Sequence, residues 1–240
     1  MAVISLDMRF KLYSEIGVVA LRHSNSKTTA VPISLDDIGL QGTPEVEAFG
    51  DFLRLLVDEL SASSVLLSGP QGWKAPENGL ADRRKCEHEV NAPTKTGLPG
   101  VTKPASHLEF THFCVALFDK LSESSLPRLA TSGGWPTKVA IETCPAAAWR
   151  SLGIPPLPLR GETTLAELRN QTESLQDCFN LDIRGELNHG ELQATVAGLA
   201  GIALEQRDMG GLAFAGVEPM EVDGKWREGY ILSPTRGASF

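Results

Sequence analysis

The hydrophobic and polar positions of this chain alternate with two different periods. Residues 2–7 (AVISLD) are nearly all apolar and end on a carboxylate, as in a strand buried on both faces whose last side chain reaches the sheet rim. Glu15–Arg22 and Thr28–Leu35 are β-branched runs separated by turn residues, and with the first run they predict an antiparallel meander. Pro32 lacks a ladder donor, which places the third strand at an edge. From Pro44 to Leu60 the period changes. Val46, Phe49, Leu53, Leu56 and Leu60 recur at helical spacing after a Thr43-Pro44 start. Ser64–Ser68 (SVLLS) then returns as a buried strand, so strand, crossover helix and strand add a parallel partner to the meander.

Residues 69–106 are rich in Gly, Pro and charge, with one helix expected over Leu80–Val90; a loop this long in a compact chain is functional or disordered. His107–Leu121 reads as a helix. After a break at Gly133-Gly134, Lys138–Thr143 (KVAIET) is a buried strand presenting Glu142, and Pro145 opens the next helix. A proline-stiffened connection at 153–160 leads to helices over Thr163–Phe179 and Glu186–Gln206. Trp226–Pro234 has an extended pattern and is expected to dock as an edge strand.

Composition narrows the classes. A hydrophobic content of 42% over 240 residues supports a sizeable core in a single domain, with 69–106 as an inserted loop. No apolar run reaches the roughly 18 residues of a membrane span and no signal peptide is evident, so the expected address is the cytoplasm. Cys86, Cys114, Cys144 and Cys178 form no C-x-x-C pair, which argues for reduced thiols rather than zinc or redox chemistry. A net charge of -8 argues against a protein that coats nucleic acid by charge alone. The stretch from Trp73 to Lys103 nevertheless carries six basic residues against four acidic ones, a locally positive segment.

The order of elements is that of a ribonuclease-H-like α/β fold: a mixed sheet of three antiparallel strands and then parallel ones, with helices on both faces. Short motifs carry a closer resemblance. Gly69-Pro70-Gln71-Gly72-Trp73-Lys74, Arg84-x-Cys86-Glu87, Ile141-Glu142-Thr143-Cys144-Pro145 and Arg227-Glu228-Gly229-Tyr230-Ile231, in that order, resemble the predicted RNase H-like nuclease family catalogued as domain of unknown function 429. The resemblance runs from Asp7 to Pro234. It implies a phosphodiesterase or nuclease in which carboxylates hold Mg²⁺ or Mn²⁺, two ions about 4 Å apart activating water and stabilising the leaving oxygen. Asp7 and Glu142 match two of the metal-binding acids. Lys74, Arg83 and Arg84 would contact substrate phosphates, with Trp73 lining the cleft, and nucleic acid would be the partner.

The chain also departs from that pattern. Ser68 stands where the family commonly has Asp, and the D-x-x-D-A of the last helix reads Gly190-Glu191-Leu192-Gln193-Ala194. His189 lies one helical turn before Gln193 and is a candidate ligand or base. Bland readings stand beside these: Asp7 as a turn residue, Glu142 as a cap on the following helix, His189 as a helix-terminal residue, Trp73 as a core plug. Cys86-Glu87-His88-Glu89 reads as a solvated helix, because adjacent helical residues do not converge on a metal. A metal-dependent nuclease thus competes with a catalytically degenerate scaffold that binds nucleic acid, a nucleotide or a protein. A phosphotransferase is a third reading, disfavoured by the lack of a glycine-rich phosphate loop.

Overall fold

Strand β1 (Ala2–Asp7) is buried along its whole length, because it pairs on both sides and is covered on both faces. The computed structural model describes residues 2–132 and 137–237. The Gly133-Gly134 break lies outside them.

Strand β2 (Gly17–Ser24) returns antiparallel to β1, and β3 (Lys27–Pro32) returns along β2. The two-residue turn between β2 and β3 holds Asn25 and Ser26 at φ 51° and 61°, the left-handed pair whose twist matches a hairpin. Helix α1 (Val46–Leu60) then crosses over with Phe49, Leu53, Leu56 and Val57 turned inward. It delivers β4 (Ala62–Leu67) parallel to β1.

The long segment that follows holds helix α2 (Lys85–Glu89) and a separate hairpin of β5 (Lys95–Thr96) and β6 (Thr102–Lys103). Helix α2 is shorter than the expected helix over 80–90, because Gly79 and the turn-forming residues after it hold the preceding backbone in loop conformations. Helix α3 (Leu108–Glu123) leads to β7 (Val139–Thr143), parallel to β4, and α4 (Pro145–Leu152) starts at the expected proline. Next come α5 (Leu165–Phe179), capped by Thr164, β8 (Leu181–Ile183) and α6 (His189–Glu205). The hairpin of β9 (Leu212–Val222) and β10 (Lys225–Pro234) closes the order.

The resulting eight-stranded sheet runs β8-β3-β2-β1-β4-β7-β10-β9. Its centre, β3-β2-β1-β4-β7, is the ribonuclease-H-like arrangement, with β1 flanked by an antiparallel and a parallel neighbour. Two edge assignments change. β10 is internal, parallel to β7 on one side and antiparallel to β9 on the other. β3 is internal too, since β8 pairs with Thr28–Ala30; Pro32 lies beyond that pairing, so its missing N–H costs no ladder bond.

One core lies beneath α4, α5 and α6, with Val3, Leu66, Ile141, Trp149 and Leu199 in it. The opposite core lies beneath α1 and α3, with Ile4, Leu6, Leu67, Phe49 and Phe118. Helix α6 reaches the sheet backbone directly. A Cβ on Gly17 would stand 2.1 Å from the carbonyl carbon of Gly190, so the first turn of α6 rests on β2 only because both residues are glycine. Among the described residues no helix is long and apolar enough to cross a membrane.

Candidate functional site

The C-terminal ends of β1, β4 and β7 lie side by side, and their register decides which polar residues can meet. Leu6 pairs with Leu67 and Leu67 with Glu142. Successive strand residues point to opposite faces. Leu6 and Leu67 belong to the core under α1 and α3, whereas Val3, Leu66 and Ile141 belong to the core under α6. Glu142 therefore faces the α1–α3 side. Asp7, Ser68 and Thr143, one step further along each strand, face α6. Asp7 and Glu142, matched as a metal-binding pair by the resemblance, point out of opposite faces of the sheet.

On the α6 side Asp7 is 7% exposed. Ser68 Oγ donates to Asp7 Oδ1 at 3.1 Å and accepts from the Met8 amide at 2.7 Å, so the serine in the expected carboxylate position clamps the end of β1. Asp7 Oδ2 is buried without a hydrogen-bond partner, and Arg9 Nε stands 4.0 Å from it. Burial raises the Asp7 pKa, opposed by the charge of Arg9, the Ser68 hydrogen bond and the charges of His189 and Arg160. His189 is buried at the start of α6, and its Nε2 lies 3.0 Å from the Pro158 carbonyl. A carbonyl can only accept, so Nε2 carries the proton; Nδ1 is buried and unpartnered. Gln193, at the other expected carboxylate position, accepts a hydrogen bond from the Trp149 indole at 2.7 Å.

This donor set does not fit a pair of divalent cations. Mg²⁺ and Mn²⁺ need several converging oxygen ligands, and this rim offers one carboxylate ringed by basic groups. Among the described residues no three His, Cys, Asp or Glu side chains converge to hold a metal ion.

On the opposite side Glu142 is committed to Arg84. The guanidinium Nη1 donates to Glu142 Oε2 and Nη2 to Oε1, both at 2.7 Å, and Oε2 also accepts from the Gln71 amide at 2.9 Å. Nε and Nη2 of Arg84 reach Glu87 Oε1 at 3.0 and 2.7 Å, while Glu87 Oε2 accepts from the amides of Arg84 and Thr96. Burial works against the charge on Arg84. The charges of Glu142 and Glu87 and the bonds to Glu142 outweigh it, and its pKa is raised. Nearby, buried Glu228 accepts from the Ala75 and Lys85 amides and from Asn78 Nδ2. Gln71 Nε2 bonds the Tyr230 carbonyl, and Arg128 Nε bonds the Gln71 carbonyl. The four short motifs are thus adjoining parts of one buried polar cluster that fastens residues 69–106 to the ends of β7 and β10.

Three of the four expected substrate contacts are turned inward. Arg84 is 1% exposed, so its guanidinium cannot reach a phosphate. Lys74 is buried with Nζ on the carbonyls of Ala75 and Pro76. Trp73 is also buried, edge-on to His112 at 5.0 Å between centroids. Arg83 is the partly accessible one, and its Nε bonds Asp82 at 3.0 Å. The solvated reading of residues 86–89 holds for His88 and Glu89 but not for Cys86 and Glu87, which are buried. The sequence reading missed Gln71, Glu87, Glu228 and Arg128 as cluster members. Arg84-x-x-Glu87, one helical turn apart, was the available signal.

Comparison with known proteins adds two solved structures. The Thermus thermophilus RuvC structure matches at TM-score 0.44 and 10% identity, covering 86% of this chain and 97% of that one. T. thermophilus RuvC in complex with Holliday junction substrate matches at TM-score 0.41 and 10% identity, covering 87% and 97%. No family model matches the chain, and no curated protein matches it in sequence. The fold assignment rests on the sheet order itself.

Proposed function

We propose that this chain is a catalytically degenerate ribonuclease-H-like scaffold, a divergent relative of the family its motifs resemble, that acts by binding a protein partner rather than by two-metal phosphodiester hydrolysis. The observation that carries this reading is the separation of the two matching acids. Asp7 faces α6 beside Ser68, while Glu142 faces the other way in a bidentate pair with Arg84. Moving Glu142 to Asp7's face would require a one-residue slip of β7, which would turn that strand's whole apolar set the wrong way.

A protein partner is favoured over nucleic acid by the fate of the basic segment. Of its six basic residues, Arg84 and Lys74 are buried on Glu142, Glu87 and backbone carbonyls, and Arg83 and Lys103 share Asp82, which thins the footprint left for phosphates on a chain of net charge -8.

The test is calorimetric titration with Mn²⁺, alongside incubation of single- and double-stranded RNA and DNA with the protein and Mn²⁺. The expected result is no micromolar binding and no cleavage above that of an Asp7→Asn variant. Micromolar Mn²⁺ binding, or cleavage abolished by Asp7→Asn, would restore the nuclease reading and sink this one.

A further inference from the structure

Three arginines are buried among the described residues, and one of them has no counter-ion. Arg84 is held by Glu142 and Glu87, and Arg128 by Asp119. Arg227, which opens the last of the four motifs, is 5% exposed; its Nε and Nη1 are buried without a hydrogen-bond partner, and no ion pair engages it among the described residues. A guanidinium does not give up its proton to escape the cost of burial, so its charge calls for an anion.

The register of the β9–β10 hairpin places Arg227 beside a cavity. Arg227 pairs with Met220, and partners in an antiparallel ladder project from the same face. Met220 and Val222 line, with Val217, Pro76, Lys85 and Glu228, a cavity of about 360 Å³. The third guanidinium nitrogen, Nη2, is the one not sealed off. Lys74 flanks the same cavity: its Nζ bonds the carbonyls of two lining residues, Ala75 and Pro76, and no carboxylate.

The balance of charge selects the ligand. Arg227, Lys74 and Lys85 stand against Glu228 and Glu77. Glu228 is already satisfied by the Ala75 and Lys85 amides and Asn78 Nδ2, and Glu77 is exposed to water. One positive charge is left over, which a single carboxylate neutralises and a phosphate dianion would overshoot. The planar guanidinium also matches a carboxylate through paired N–H donors. The apolar side chains of Val217, Met220 and Val222 suit a hydrocarbon body.

We propose that this cavity binds a small carboxylic acid with an apolar body, its carboxylate paired with Arg227. The site goes beyond the reading of the chain as a protein-binding scaffold. It needs neither Asp7 nor a metal, so the two readings fail independently.

The probe is hexanoate, titrated into the full chain at constant ionic strength while the Met220 methyl resonance is followed by NMR. The signal should shift saturably by about 20 mM, where a millimolar site is filled. Hexanamide, of the same shape but uncharged, should leave it unmoved. Arg227→Met, which removes an unpaired charge and keeps an apolar stem, should abolish the shift without lowering the urea midpoint. Lys85→Glu, at a partly exposed position, should weaken binding roughly fivefold. The proposal is overturned by an absence of shift, by an equal response to hexanamide, by unchanged affinity in either variant, or by inorganic phosphate displacing hexanoate at lower concentration, which would make this a phosphate site. A lowered urea midpoint in Arg227→Met would also overturn it, because the guanidinium would then have its partner within the fold.

Discussion

At the scale of single residues, Asp7 has the least compensated charge at the β1 end. One oxygen is bonded to Ser68 and the other is buried without a hydrogen bond. Burial raises its pKa above the unfolded value, so between the two values the folded form keeps a proton that the unfolded chain has released. Stability then falls as pH rises through that window. Asp7→Asn removes the titration. At pH 7 the variant should be more stable than the parent by about 1 kcal/mol, and the gain should vanish below the ordinary value of 3.8. Urea midpoints at pH 7 and pH 3.5 measure this. A loss of stability at pH 7 would mean that Arg9, His189 and Arg160 together outweigh the burial of the charge.

At the scale of elements, the contact of α6 with β2 depends on two glycines from opposite ends of the chain. A Cβ on Gly190 would stand 3.1 Å from the Gly17 amide nitrogen and 2.9 Å from Arg160 Nη2. A backbone neighbour cannot give way as a side chain can. Gly190→Ala should therefore cost about 1–3 kcal/mol and lift the first turn of α6, seen as faster hydrogen exchange near His189 and Glu191. Unchanged exchange would show that the helix shifts freely along the sheet. The β9–β10 hairpin is set by a different local rule. Asp223 and Gly224 adopt φ 53° and 66°, the paired left-handed conformation of a two-residue hairpin. That Asp-Gly pair was a legible signal for β9. Gly216 and Pro219 in a strand of mixed burial masked the alternation that would have confirmed it.

At the scale of the whole molecule, the Arg84 cluster makes a long Gly- and Pro-rich segment part of the fold. Arg84→Met would leave Glu142 and Glu87 buried without their counter-ion. The expected cost is about 3–5 kcal/mol, with hydrogen exchange across 69–106 rising more than in β1 or α6. Equal protection of that segment in the variant would assign its anchoring to Glu228 and Gln71 instead.

The sequence by itself determined the central meander, β4, β7, β10 and the long helices, because apolar period and turn chemistry are local quantities read within one window; β8 and β9 escaped it, the first for its three-residue length and the second for its mixed burial. It also singled out Asp7, Glu142 and the four motifs. The face each strand-end residue takes was decided only by tertiary structure. A strand's own pattern says that Asp7 and Leu6 point oppositely, as do Glu142 and Ile141, but the phase of β7 against β1 is set by register across β4. That phase separates the two acids. The same holds for charge: Arg84, Lys74 and Glu87 read as solvated or substrate-facing because charge usually stays in water, and only the assembled fold supplies partners close enough to bury them.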